Sequence, residues 1–248
     1  MAYWDRYYKD KPEYFDLPLY YINLDRSVER RQQLEQQLER YKIKATRISG
    51  TDGRTFNTEF INTLTQPPKG VANNELEHAC TVSHLKTIQK FLQDDYNYAM
   101  IVEDDVDLSL HRLWKESLGN SLLKLPSDWD IVLLYDSQAS INNSNAKNNK
   151  FVKGKNWGTV AYAISRKGAE NILKSVPHIN NRWDFTKMPV VAADVILYGN
   201  SNNVYVLNRL APLCQDPSTI HPNHDHVHLD IRNNIINCLL YRNKNYYA

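Results

Sequence analysis

Met100-Ile101-Val102-Glu103-Asp104-Asp105-Val106 is the stretch on which the fold of this chain turns. The apolar run Ala99 to Val102 predicts a buried strand, and three carboxylates follow it without a spacer. Like charges this close raise one another's pKa unless a cation compensates them. A hard divalent ion such as Mn²⁺ or Mg²⁺ takes oxygen ligands and relieves the repulsion. In open α/β sheets ligands bind just beyond the carboxyl ends of strands, where these acids stand. The alternative is a solvated acidic turn capping the next helix, so the surrounding chain has to decide.

Outward from that strand, the pattern alternates strand and helix. Leu19-Tyr20-Tyr21-Ile22-Asn23-Leu24 is a strand by propensity. Ser27 can cap a helix whose apolar positions Val28, Leu34, Leu38 and Tyr41 recur at near-helical spacing. Ile43 to Ile48 predicts a second strand, and Ser49 to Gly53 a turn. Residues 55 to 74 are polar, with Pro67-Pro68. Glu75 to Leu92 reads as a helix leading into the acidic strand, and His111 to Leu125 as a further helix. Trp129 to Leu134 is a third core strand, and Ser137 to Asn149, dense in Asn and Ser, a mobile loop. Gly158 to Ser165 returns as a strand, with Ser165 capping a helix that runs to about Val176. Asp194 to Leu197 lies on a short element, and Val204 to Leu207 is a late strand. The opening strand-helix-strand unit lacks both GxGxxG and GxxxxGK[ST], so dinucleotide and P-loop readings are weak.

The chain has 248 residues, 42% hydrophobic and 23% charged, enough for one large α/β domain or two small ones. A net charge of +2 implies no nucleic-acid partner. Three cysteines without CxxC spacing support neither a disulfide scaffold nor a zinc site. The N-terminus has no apolar signal region, and no apolar run is long enough to span a bilayer, so a soluble, cytoplasmic location is expected.

Four blocks now fall in a telling order. Tyr21-Ile22-Asn23-Leu24-Asp25-Arg26-Ser27-Val28-Glu29-Arg30-Arg31 closely resembles the opening of glycosyltransferase family 25. That family includes bacterial lipooligosaccharide galactosyltransferases and animal collagen galactosyltransferases. Glu77 to Leu85 resembles its Gly-Glu-x-Gly-Cys-x-x-Ser-His segment, and Ala99 to Val106 its strand ending in Glu-Asp-Asp. Gly158 to Ala169 resembles its Gly-Thr-x-x-Tyr-x-Ile-Ser-x-x-Gly-Ala segment. The tail from Ala211 to His228 is more loosely similar to glycosyltransferase-like proteins of giant viruses. Departures are also visible: Leu76 and Ala79 stand where the family usually has glycines. Val190 to Val195 replaces a more usual Pro-Val-Asp-Asp-Val, leaving Asp194 as the one acid.

The resemblance implies a glycosyltransferase-A-like α/β domain over residues 19–248, with a central, mostly parallel sheet flanked by helices and residues 1–18 as an arm. It further implies a UDP-sugar donor, a Mn²⁺ or Mg²⁺ ion, and Glu103 and Asp105 as metal ligands. Asp104 touches a donor-sugar hydroxyl or holds the turn. A third protein ligand is expected from the histidine-rich tail, at His224 with His221 in reserve. His226 and His228 share a face if that segment is extended, lining the acceptor side. Asn23, Leu24, Arg26 and Arg30 follow the first strand, a usual place for nucleotide contacts; alternatively the arginines pair with Glu29 or Asp25. Asp52 either accepts from the uracil N3–H or is a turn residue. His84 either contacts the diphosphate or is a core histidine. Cys80 reads as a small buried hydrophobe, and Lys86 as solvated.

The function expected is metal-dependent, inverting transfer of galactose or glucose from a UDP-sugar to a glycan or glycoprotein hydroxyl. Asp194 is the expected base and Asp184 the alternate. The competing expectation is a catalytically inactive relative that binds glycans or partners. A two-metal nucleotidyltransferase is a distant third, because no basic cluster offers an acceptor-phosphate site.

Overall fold

A computed structural model describes residues 8–55, 61–62, 74–138, 149–150, 156–188, 190–207, 209–213 and 225–244. The central seven-stranded sheet has the order β2-β1-β4-β7-β5-β10-β6. Its strands are β1 (Leu19–Asn23), β2 (Ala45–Ser49), β4 (Tyr98–Glu103), β5 (Ile131–Leu133), β6 (Asn149–Lys150), β7 (Ala161–Ser165) and β10 (Val204–Val206). β2, β1, β4, β5 and β10 run one way, and β7 and β6 run against them. β3 (Ile61–Asn62), β8 (His178–Ile179) and β9 (Arg182–Asp184) form a small second sheet. The expected α/β architecture, a mostly parallel sheet flanked by helices, is therefore present.

Alternation along the strands sends side chains into two cores, one on each face. Tyr20, Ile22, Ala99, Ile101 and Ile164 face α2 (Glu75–Gln93), α4 (Arg166–Ser175) and α5 (Ala193–Gly199). Leu19, Tyr21, Met100, Val102 and Ala163 face α1 (Val28–Arg40), α3 (Leu118–Leu122) and α6 (Asp225–Lys244). Residues 8–18 lie on this second layer: the Phe15 ring sits 4.9 Å from that of Trp114, and Asp10 pairs with the buried Arg112 at 2.5 Å.

Caps explain where several helices start. Asn74 accepts from the Glu77 N–H at 3.0 Å while the Glu77 carboxylate takes the Asn74 N–H, a capping box that fixes the entry of α2. Ser165 caps α4 as expected, accepting from Gly168 N. Ser27 stands at the start of α1, but its side chain makes no capping bond.

Two expectations need correction. His111 to Leu125 is not one helix: a 3₁₀ segment, Leu108–Leu113, ends at an extended Trp114, and α3 restarts after Ser117. Ser117 accepts from Asn120 N at 3.2 Å, while the buried Trp114 indole donates to Arg209 O at 2.8 Å, so burial of that ring outweighs helical continuity. The tail after Asp225 is a helix rather than an extended segment, buried along Ile231, Ile235 and Leu239. Positions 226 and 228, two apart, therefore do not share a face. The loop expected over Ser137 to Asn149 falls mostly outside the described residues. Among the described residues no helix is long and apolar enough to cross a membrane.

Gly168 is where α4 touches the sheet. A Cβ there would come 2.5 Å from the Asp130 carbonyl oxygen, a backbone atom that also accepts from Ser165 N. Overpacking of this kind costs about 1–3 kcal/mol. Gly168→Ala is expected to lower the thermal midpoint by several degrees, measured by circular dichroism; an unchanged midpoint would show that α4 shifts freely.

Candidate donor site at the end of the acidic strand

β1 and β4 are parallel neighbours with Ile22 opposite Glu103, so Asn23 ends beside Asp104. That register, set by packing on both faces, joins two stretches eighty residues apart in sequence. The Asn23 amide donates to Asp104 Oδ2 at 2.7 Å and to Ser27 O at 3.1 Å. Its carbonyl accepts from Arg47 Nη2 at 2.9 Å. Asn23 is thus a buried bracket that ties β1, the start of α1 and the acidic turn together.

The first turn of α1 places Arg30 over the acids. Its Nη2 lies 2.5 Å from Asp104 Oδ1 and 2.8 Å from Asp105 Oδ2. Arg26 pairs with Asp52 at 2.5 Å, and Arg47 with Asp25 at 2.5 Å. Arg26 and Arg30 thus reach Asp52, Asp104 and Asp105, acids other than the Glu29 and Asp25 of the alternative expectation. Asp52 also accepts from Arg54 N at 2.9 Å, a turn bond.

Glu103 turns the other way, accepting from the Thr159 hydroxyl at 2.6 Å. His84, buried on α2, holds Nε2 at 3.5 Å from the same oxygen, too long for a good hydrogen bond. His84 Nδ1 meets the Tyr162 hydroxyl at 3.1 Å. Burial holds the Tyr162 phenol well above its ordinary pKa, so it keeps its proton.

Electrostatics separate the three acids. Burial opposes ionisation of Glu103, but His84, the Thr159 hydroxyl and the Arg30 charge outweigh it and lower its pKa. Burial raises Asp104, against the pull of Arg30 and Asn23. Asp105 is pushed up to about 7, by burial first and by its two acidic neighbours, with Arg30 opposing. A third of the Asp105 side chain is open to solvent, which tempers that push.

A cleft opens here, lined by Asn23, Leu24, Arg26, Arg30, His84, Glu103 and Asp104, with Ile22, Ser27, Thr51, Gly53, Leu76, Cys80 and Ser83 completing it. Of the expected nucleotide contacts and described metal ligands, Asp52 and Asp105 stand outside the lining. Leu76, where the family usually has glycine, packs against Gly53, whose Cβ position lies 2.7 Å from the Leu76 backbone. The Cys80 thiol is held well above its ordinary pKa by burial and by Glu103, Asp194 and Asp105, which suits a packing residue rather than a nucleophile. Lys86 reaches Thr51 Oγ1 at 3.1 Å.

Asp194 lies in the first turn of α5, where Ala192, not Asp194, is the capping position. Its Oδ2 accepts from Gly158 N at 3.1 Å and its Oδ1 from Val195 N at 2.8 Å. Gly158 has a φ of 89°, a left-handed conformation that suits glycine, and Tyr198 donates to its carbonyl at 2.6 Å. The Gly158-Thr159 step thereby links Asp194 to Glu103. Asp184 instead turns back on Thr186 and does not line the cleft. Sequence reasoning passed over Arg47, Thr159 and Tyr162; of these, Thr159 and Tyr162 stood in the quoted Gly-Thr-x-x-Tyr segment. His221 and His224 lie outside the described residues, and the His228 ring packs edge-on to Trp157 at 6.0 Å.

The donor set fits a divalent cation. Asp105 Oδ1 is buried without a hydrogen-bond partner, beside Glu103 at the end of a strand, which is oxygen chemistry that a hard ion takes. Among the described residues no three His, Cys, Asp or Glu side chains already converge as a closed metal site.

Comparison with known proteins places this geometry in context. The family model for glycosyltransferase family 25 (LPS biosynthesis protein) matches residues 16–194. Procollagen galactosyltransferase 1 of Danio rerio is 22% identical over 174 residues, covering 64% of this chain and 28% of that protein. The inactive glycosyltransferase 25 family member 3 of Mus musculus is 27% identical over 173 residues, covering 64% and 29%. The lipooligosaccharide biosynthesis protein lex-1 of Haemophilus influenzae is 25% identical over 150 residues, covering 55% and 47%. The matched region spans less than half the length of each of these relatives. With the match running from the N-terminal approach to β1 through Asp194, and so across the whole acidic cleft, this chain belongs to glycosyltransferase family 25.

Proposed function

We propose that the chain is a metal-dependent, inverting glycosyltransferase that moves galactose or glucose from a UDP-sugar to a hydroxyl of a glycan or glycoprotein. The catalytic domain is glycosyltransferase-A-like and comprises residues 19–248, with residues 1–18 as an arm. The observation that carries this reading is the unpartnered Asp105 Oδ1, set beside Glu103 in the turn whose other acids line a cleft with two arginines.

Glu103 and Asp105 would hold the Mn²⁺ or Mg²⁺ ion, with His224 or His221 as the third ligand. The ion supplies positive charge against the departing diphosphate. Arg26 and Arg30, both lining the cleft, add their own charge to the same oxygens. Asp194 takes the acceptor hydroxyl's proton. Each of its oxygens accepts one backbone N–H, which orients the carboxylate and leaves a lone pair on each for the hydroxyl.

An inactive, glycan-binding relative is the second reading. It is favoured by the single acid at Asp194, already committed to two N–H groups, and by likeness to a mouse relative described as inactive. Thermal shift with UDP and Mn²⁺ tests the donor site: together they are expected to stabilise more than the sum of their separate effects. Strictly additive shifts would contradict it. UDP release from a UDP-sugar then separates the enzyme from the inactive relative.

A further inference from the structure

Three carboxylates at one strand end require a positive charge, and here Arg30 supplies it. One guanidinium nitrogen reaches two of the acids, at 2.5 Å on Asp104 and 2.8 Å on Asp105. The side chain is only 14% exposed, so this is an enclosed contact and not a surface pair. The other arginines around the turn are also seated on acids, Arg26 on Asp52 and Arg47 on Asp25. Asp105 thus offers one oxygen to Arg30 and keeps the other without a partner.

We propose that Arg30 is an exchangeable internal counter-ion: it neutralises Asp104 and Asp105 directly beside the Asp105 oxygen that would take the divalent cation, and the cation enters as the donor's diphosphate draws the guanidinium away. The diphosphate half of this rests on the donor-site reading above. The physical argument is charge balance. A divalent ion and a guanidinium held by the same Asp105 carboxylate repel each other, so an ion arriving alone must displace Arg30 toward a lining whose one other described carboxylate besides Asp104 is Glu103, already bonded to Thr159. An ion arriving with a diphosphate gives Arg30 a new partner of suitable shape, because a guanidinium fork matches phosphate oxygens as it matches carboxylates. Metal and nucleotide then bind synergistically through the repositioning of one side chain.

The test is Mn²⁺ titration of the full chain without nucleotide, followed by the electron paramagnetic resonance signal of free Mn²⁺. Arg30→Gln removes the competing charge and is expected to bind Mn²⁺ about tenfold more tightly than wild type, or better. Added UDP should then tighten Mn²⁺ binding far less in that variant than in wild type. Arg30→Lys keeps a cation over the acids and is expected to remain close to wild type. Equal or weaker Mn²⁺ affinity in Arg30→Gln overturns the proposal. If that variant fails to fold, Asp104→Asn is compared with the Arg30→Gln/Asp104→Asn pair, which drops one charge of each sign; the same gain is expected and its absence is equally decisive. Because these titrations contain no nucleotide, they judge Arg30 even if wild type proves not to bind UDP, a result that would sink the donor-site reading instead.

Discussion

Asp105→Asn is expected to abolish Mn²⁺-dependent UDP binding, a loss of about a hundredfold or more, in a chain that remains folded. The substitution keeps the side-chain shape but replaces an anionic oxygen with a neutral amide. Asp104 still holds Arg30, at 2.5 Å, so the fold around the turn has its ion pair. What disappears is the unpartnered Oδ1, the oxygen for which no protein donor competes. A pH series sharpens the test. The Asp105 pKa is pushed up to about 7, chiefly by burial, so proton and metal compete for it near neutrality. Wild-type affinity for the metal is expected to fall as the pH is lowered through 7. The sign for stability is opposite: the folded chain holds this proton more tightly than the unfolded one. Asp105 therefore contributes stability to the unliganded protein as the pH falls from about 7 toward about 4. In Asp105→Asn both dependences should flatten. Calorimetry showing unchanged Mn²⁺-dependent UDP binding in the variant would refute the assignment.

Asp194→Asn is expected to lower sugar transfer by roughly a hundredfold or more while leaving UDP and metal affinity almost unchanged. The separation follows from place. Asp194 is not part of the lining of the donor cleft, and its hydrogen-bonded link to that cleft runs through Gly158 and Thr159. An asparagine retains one acceptor oxygen for one of the two backbone N–H groups and turns an N–H toward the other. The structural cost is that of one imperfect hydrogen bond, about 1–3 kcal/mol. Donor affinity is therefore the internal control. If it holds, Thr159 still fixes Glu103, and any lost rate belongs to the missing base. Transfer that survives with fold and donor binding intact would make Asp194 a clamp on Gly158 and place the base elsewhere.

The contrast between what sequence reveals and what it hides has a simple physical origin. β1 and β4 are legible because both faces of each are buried, which forces continuous apolar runs such as Ala99 to Val102. The acids are legible because they interrupt such a run at its end. The pairing of Arg30 with Asp104 and Asp105 is not, since it depends on the register that sets Ile22 beside Glu103. The same holds for the link from Asp194 through Gly158-Thr159 to Glu103, which joins three separate stretches of chain. Local chemistry misled in two places. Ser117 and Trp114 divide what looked like one helix from His111 to Leu125. In α6 the density of Asn and His hid the spacing of Ile231, Ile235 and Leu239, along with the pairing of Arg232 to Asp107 at 2.5 Å that anchors the helix.

The most direct test of the central claim is a screen of UDP-sugars for UDP release by the intact chain, with Mn²⁺ and with a chelator, without any added acceptor. Slow transfer to water is expected from UDP-galactose or UDP-glucose, present with Mn²⁺, absent with the chelator and absent in Asp105→Asn. A folded chain that binds UDP and Mn²⁺ yet releases no UDP from any of these donors would contradict the account of a working glycosyltransferase.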